Sequence, residues 1–223
     1  MAETDYSEIL AIISAEVTGD SPEVRQNYLK HFSNQTEKFI NAMSKAYIGW
    51  REFDSNIGSD IKKAHISALI YSAINNHIVS LKLFLSGYII AAGNLQRQVI
   101  ETVALALLCS AANLNILDCY IDNKYSTNKA VRDVLRHYDK INLNKNALQV
   151  LERSRDFYDE YSHPTQLTLT NLISFSKSGK LYLGATFDEG KLEQYAKELN
   201  VRVSLAMVFD NFIDGVKANV EKW

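Results

Sequence analysis

The sequence predicts a mainly α-helical chain that folds as a multi-helix bundle, with a small β-hairpin near residues 172–187. Only two prolines, Pro22 and Pro164, occur in 223 residues, and proline is the residue that interrupts helices most strongly. Apolar residues recur every three or four positions over long stretches, which is the period of an α-helix. Because 47% of the residues are apolar and 22% are charged, as is usual in globular proteins, we expect the chain to bury a core.

Two helices are predicted in the first quarter of the chain. The first covers residues 4–17 and ends at Gly19. The second begins at Pro22, where a missing N–H costs nothing, and Ser21 before it is expected to supply a capping hydroxyl. This long helix has one apolar face and ends in the polar stretch 54–59. The face consists of Tyr28, Phe32, Phe39, Met43, Ala46, Tyr47 and Trp50.

The most apolar part of the chain follows. Residues 60–85 and 89–112 are predicted to form two helices that meet near Gly87 and pack together at the centre of the bundle. Residues 114–128 show no regular period and are expected to be irregular.

Two further helices precede Pro164, a short one over residues 129–140 and another over 144–161. The second is expected to stop near His163, because a proline disfavours helical geometry in the residue before it. In the 172–187 segment, β-branched and aromatic residues lie on both sides of a Ser-Gly turn, which predicts the hairpin.

Helices over residues 188–200 and 202–220 then complete the chain. We expect one domain, 1–223, because this length lies within the usual range for a single domain. It divides into N-terminal helices (1–59), a central bundle (60–164), and the hairpin with the C-terminal helices (165–223).

Charge and composition narrow the class of protein. The net charge is −2, which gives no general preference for nucleic acid. Residues 122–155, however, contain eight Lys or Arg against four Asp or Glu, so RNA is a candidate partner of this stretch. Cys109 and Cys119 match no zinc spacing and are interpreted as reduced thiols, which favours a cytoplasmic protein.

No membrane segment is expected. The N-terminus lacks the basic and apolar regions of a signal peptide, and the windows 83–92 and 99–112 are too short to cross a bilayer. The sequence contains no phosphate-binding glycine loop or dinucleotide motif. We therefore expect no cofactor. Glu160 and His163 form one Glu-x-x-His, but a di-iron bundle needs two such motifs, so no metal is expected either.

The first candidate site consists of Arg97 and Glu101, which lie four residues apart and therefore on one face of the second apolar helix. Their neighbours along that face are mostly apolar. If the pair is buried, removing both charges from water costs several kcal/mol and needs good geometry in return. Either the pair is a structural ion pair, or it lines a cavity that binds a ligand.

The second candidate site is the sequence YDEYSHP, residues 158–164. Pro164 holds His163 at a helix C-terminus, where the helix dipole favours an imidazolium. As the alternative, Tyr158 and Tyr161 are core aromatics and His163 is a capping or packed residue.

The third candidate is Arg132 with His137, separated by four residues. This pattern resembles the motif of the higher-eukaryote-and-prokaryote nucleotide-binding family, helical dimers that include metal-independent RNases. The resemblance implies that Arg132 binds phosphate and His137 assists proton transfer across a dimer. About half a match to such spacing is expected by chance. When spacings of four to six residues are counted, Arg25 and His31 match the pattern as well.

A second resemblance covers residues 87–164. Arg-x-x-x-Glu, followed after a spacer by Tyr-x-x-x-Ser-His, resembles uncharacterised bacterial all-helical proteins, some of them related to the same family. The resemblance implies that Arg97, Glu101, Tyr158 and His163, together with Ser162, converge on one polar pocket.

Two functions are therefore considered. The first is a helical module that forms a homodimer and binds a partner or a small ligand at a polar pocket. The alternative is a metal-independent RNase of a bacterial toxin or phage-defence system, with His163, Arg132 and His137 as candidate catalytic residues.

Overall fold

The computed structural model describes residues 6–177 and 179–223, without the side chain of Ser162. This part of the chain is mainly helical, as predicted. Its α-helices are α1 (Tyr6–Thr18), α2 (Pro22–Ser55), α3 (Ile61–Leu85), α4 (Ile89–Ser110), α5 (Ile116–Ile121), α6 (Ala130–Arg136), α7 (Lys145–Tyr158), α8 (Gln166–Leu172), α9 (Leu192–Ala206) and α10 (Phe209–Val220). Short 3-10 turns lie at Ala112–Leu114, Thr127–Lys129, Asp159–Ser162 and Glu189–Lys191.

The centre of the bundle is the antiparallel pair α3 and α4, as the apolar composition of these stretches predicts. This pair makes the most extensive helix contact, and α2, α6, α7 and α10 pack around it. Val99 and Leu107 on α4 are fully buried. By length and composition α3 is also apolar enough to cross a membrane, and 44% of its most apolar window is buried.

The long helix α2 begins at Pro22, as predicted, but the Ser21 hydroxyl makes no capping hydrogen bond. The helix is kinked at Phe32, where φ is −129°. At this kink the hydroxyl of Thr36 donates to the Phe32 carbonyl over 2.9 Å, a bond that often bends helices. Most of the predicted apolar face is buried, whereas Tyr47 remains exposed.

Gly87 joins α3 to α4. Its φ is +85°, a conformation that glycine adopts without strain. The Gly87 carbonyl accepts a hydrogen bond from Thr186 N over 3.2 Å. A β-carbon at this position would lie 2.5 Å from Thr186 N and 2.7 Å from a Val24 methyl. A glycine is therefore required where three segments meet.

Residues 114–128 were predicted to be irregular, and this is wrong in part, because they contain α5. Two side chains on α5, Leu117 and Ile116, pack against the core, which stabilises a helix too short to show a period. The prediction for α7 is confirmed. After its 3-10 extension His163 is extended, with φ −133° and ψ 159°, as Pro164 requires.

The predicted β-hairpin is wrong. Within the described residues of 172–187 there is one isolated antiparallel bridge, between Ile173 and Leu181, and no strand. Leu172 itself ends α8, a helix that the sequence pattern did not predict.

Two buried charged side chains replace the ladder of hydrogen bonds that a hairpin would need. The Asp188 carboxylate accepts from Phe175 N over 2.6 Å and from Ser176 N over 3.2 Å. The Lys191 ammonium donates to the Thr170 carbonyl over 2.8 Å. Burial raises the pKa of Asp188, but hydrogen bonds from the backbone of Phe175 and Gly190 and from Ser176 and Ser174 outweigh it and lower the pKa to about 2. The segment is therefore a loop whose backbone is hydrogen-bonded to the side chains of Asp188 and Lys191.

The break between the last two helices also differs from the prediction. It was expected at residue 201, but α9 continues through Arg202 to Ala206 and α10 begins at Phe209. As a result Glu198 and Arg202 lie one turn apart on the same helix.

Candidate functional site

Arg97 and Glu101 form an ion pair at the surface of α4. Arg97 Nε lies 3.2 Å from Glu101 Oε1 and 3.7 Å from Asp159 Oδ1, and the two side chains of the α4 pair are 30% and 26% exposed. The pair is thus half-buried, and water screens it. Through Asp159, Arg97 connects α4 to the 3-10 turn that follows α7. The main cavities of the described residues are lined by other side chains.

The residues of the YDEYSHP segment point in different directions. Tyr158 is fully buried, and His163 is exposed. The Tyr158 hydroxyl accepts a hydrogen bond from Arg202 Nη1 over 2.6 Å. Tyr158 therefore belongs to the core, whereas Arg97 lies at the surface. The side chain of Ser162 lies outside the described residues.

Arg132 and His137 lie on α6 and at its C-terminal cap. Arg132 is exposed and His137 is half-buried. Five residues of α-helix correspond to about 140° around the axis, beyond one full turn, so the two side chains leave the helix in different directions. Asp133 between them accepts from the Tyr125 hydroxyl over 2.9 Å. Within one chain, Arg132 and His137 do not face a common point.

The most polar part of the core was not predicted. Arg202 and Glu198 on α9 are fully buried, with Arg202 Nη1 2.6 Å from Glu198 Oε1. Arg202 Nε donates to the Ser80 hydroxyl over 3.3 Å, and the Tyr161 hydroxyl donates to Glu198 Oε2 over 2.6 Å. The guanidinium also lies over the Phe84 ring, 4.9 Å from its centroid.

Burial, together with the charge of Glu198, raises the pKa of Tyr161 well above its ordinary value. Tyr161 therefore stays protonated and remains a donor. Because the two buried charges have hydrogen-bond partners on three other segments, their desolvation is largely compensated. The stripe Tyr195, Glu198, Leu199, Arg202 and Ala206 is the sequence signal that could have revealed the cluster.

A second buried polar pair joins α3 and α4. His77 Nδ1 lies 2.9 Å from Gln96 Oε1, within hydrogen-bond distance. The ring stacks on Phe209 at 5.7 Å between centroids. Burial lowers the pKa of His77 to about 3, which keeps the imidazole neutral and makes it a structural residue.

The N-terminal helix α1 differs from the other long helices because none of its residues is buried. Its large apolar side chains are between 44% and 78% exposed. They are Tyr6, Ile9, Leu10, Ile12, Ile13 and Val17. Glu16 holds the C-terminal end of α1 in place, since its carboxylate accepts from Ala185 N over 2.8 Å and lies 3.4 Å from the Tyr88 hydroxyl.

A groove of about 450 Å³ runs between α2 and α3. Its floor and walls are mainly apolar, and Arg25 and Lys82 are its two cationic residues. Ile40 and Ile78, which line the groove, are 55% and 45% exposed. The groove and α1 are thus two exposed apolar surfaces among the described residues.

The described residues contain no group of three or more His, Cys, Asp or Glu side chains placed to hold a metal ion. Both cysteines are free. Comparison of the sequence and structure with protein-family models, curated proteins and solved structures gives no match.

Proposed function

We propose that this chain is a self-associating helical module and that α1 is the element through which it associates. The observation that carries the proposal is the exposure of an apolar helix, since none of the residues Tyr6–Thr18 is buried. Apolar surface gains roughly 25 cal/mol per Å² when it leaves water. Contiguous exposed apolar surfaces therefore commonly mark interaction sites.

The length of α1 supports the same proposal. A helix of 13 residues is marginally stable in water unless tertiary contacts support it. Within its own chain Glu16, near the C-terminal end of α1, bonds to Ala185 N, while the large apolar side chains of α1 stay exposed. A partner surface along the apolar residues would supply the missing contacts.

The test is the mass of the protein in solution, measured by light scattering after size-exclusion chromatography. We expect the wild type to be a dimer of the 25.2 kDa chain, and the Ile9→Asp/Ile13→Asp variant to be a monomer with an unchanged thermal transition of the core. Ile48→Asp, at an exposed isoleucine of α2, is the matched control and should remain dimeric. A wild type that is monomeric at all concentrations would contradict the proposal.

A second candidate function is RNA cleavage that uses Arg132 and His137. It is favoured by the exposed basic side chains of residues 122–155, among them Arg132 and Arg136. Because Arg132 and His137 point apart within one chain, this function also requires self-association.

RNA cleavage by the purified wild type, abolished in Arg132→Ala and in His137→Ala, would support this second function. His163→Ala tests the remaining candidate in the same assay. This second function would be eliminated if cleavage persists in all three variants, or if the wild type does not cleave RNA.

A further inference from the structure

We infer that the groove between α2 and α3 binds α1 of a second copy of this chain, and that two copies exchange their α1 helices reciprocally. This inference rests on the proposed self-association and names the surface that receives α1.

The groove can receive part of α1. Apart from Arg25 at one end, its lining lies between Thr36 and Ser44 on α2 and between Ile78 and Leu85 on α3, which is about 12 Å along each helix. The helix α1 has 13 residues and is therefore about 20 Å long. The groove is thus long enough for about two turns of α1, and Ile40 and Ile78 provide exposed apolar contacts on its two walls.

The charges of the two surfaces are complementary. The groove contains two cationic side chains, Arg25 and Lys82. The helix α1 contains neither lysine nor arginine, and of its two acidic residues Glu8 is exposed and free to face the groove, whereas Glu16 is bonded to Ala185 N. Opposite charges favour docking and fix its register. The acidic residues of α1 disfavour its binding to an anionic membrane, because such a surface attracts helices that are rich in Lys and Arg.

The anchor at Glu16 favours a second copy over the chain's own groove. With Glu16 bonded to Ala185 N, α1 buries none of its residues in its own chain. In this position no residue of Tyr6–Thr18 lines the groove of its own chain. A second copy brings its groove to α1 while the anchor stays intact.

Reciprocal exchange also closes the assembly. Each copy offers one helix and one groove, so a two-fold axis satisfies both and leaves no surface for further growth. Two helix-in-groove contacts bury twice the area of one, which brings the interface toward the roughly 1,200–2,000 Å² of stable complexes.

The experiment uses two full-length variants, one in the groove (Ile40→Asp/Ile78→Asp) and one in α1 (Ile9→Asp/Ile13→Asp). Each alone should be monomeric where the wild type is dimeric, with dimer affinity reduced at least tenfold. Ile48→Asp, on α2 but outside the groove, should remain dimeric. Each variant's far-ultraviolet circular dichroism and thermal transition show that it is folded.

Mixing the two variants tests the exchange itself, since the groove variant keeps an intact α1 and the α1 variant keeps an intact groove. The mixture should form a heterodimer through one remaining contact. A mixture that dimerises no more strongly than either variant alone would overturn the inference.

Different results would overturn the docking of α1 in the groove and the self-association through α1. If the α1 variant is monomeric but the groove variant remains dimeric, α1 docks elsewhere, and the inference is overturned while the proposed function stands. If the wild type is monomeric and binds phosphatidylcholine vesicles through α1, both are overturned.

Discussion

Arg202 Nη1 donates to Glu198 Oε1 over 2.6 Å, one turn apart on α9, and neither side chain is exposed to solvent. The same guanidinium nitrogen also donates to the Tyr158 hydroxyl. This ion pair therefore connects α9 to α7 inside the core. Arg202 Nη2 has no hydrogen-bond partner among the described residues, so the network leaves one buried donor unsatisfied.

Removing one partner of this buried pair should destabilise the fold strongly. Arg202→Met leaves the Glu198 carboxylate buried without its cation, and we expect a loss of about 3–5 kcal/mol in the free energy of unfolding. The double variant Arg202→Met/Glu198→Leu removes both charges and should lose less. Urea denaturation measures both. Equal losses in the single and the double variant would show that the two charges are not coupled.

The ion pair of Arg97 and Glu101 should contribute little. Both side chains are partly exposed, and pairs of this kind are worth about 0.2–1 kcal/mol. We expect Arg97→Ala to lower the free energy of unfolding by that amount in urea, and the effect to shrink when salt is added. A loss comparable to that of Arg202→Met would be inconsistent with a screened surface pair.

His77 should make stability depend on pH. Burial lowers its pKa from 6.5 to about 3 in the folded chain, so below pH 6.5 the unfolded chain binds a proton that the folded chain does not. Stability should therefore fall as the pH drops below 6.5, by about 2 kcal/mol at pH 5. Urea denaturation of His77→Leu, compared with the wild type between pH 7 and 5, should show a shallower slope.

His65→Leu provides the control, because the His65 side chain lies near the start of α3 and is not fully buried. This variant should keep most of the wild-type slope. The same slope in the His77 variant as in the wild type would assign the pH dependence to other groups.

Gly87→Ala should be more destabilising than Gly58→Ala. Both glycines have a positive φ, so both substitutions carry backbone strain of order 1 kcal/mol. Only at Gly87 would the new methyl also collide with backbone atoms, those of Thr186. Thermal denaturation of the two variants compares them directly. Equal melting temperatures would mean that the Thr186 segment moves away without cost.

The long helices could be predicted from the sequence because the spacing of apolar residues that marks a helix is visible within a short stretch of chain. The apolar stripe of α2 and the composition of α3 and α4 were sufficient for the centre of the bundle. The loop of residues 172–187 could not be predicted in the same way. Its shape depends on Asp188 and Lys191, whose bonds to Phe175 N and the Thr170 carbonyl become visible only when the chain is folded.

The buried cluster was missed for a related reason. A helix break predicted at residue 201 places Glu198 and Arg202 on different helices and conceals their four-residue spacing. The pair that was predicted, Arg97 with Glu101, does form, but its burial depends on what covers α4, which the helix period alone does not specify. The exposure of α1 is likewise a property of the fold, since a predicted helix over residues 4–17 does not specify what covers its apolar residues.

Hydrogen exchange of the α1 backbone amides, measured at several protein concentrations, tests the central claim most directly. If α1 docks onto a second copy, its amides should be protected at concentrations where the chain is a dimer and lose protection on dilution, while amides of α4 keep theirs. If the amides of α1 exchange at the same rate at every concentration, α1 is not the element of self-association.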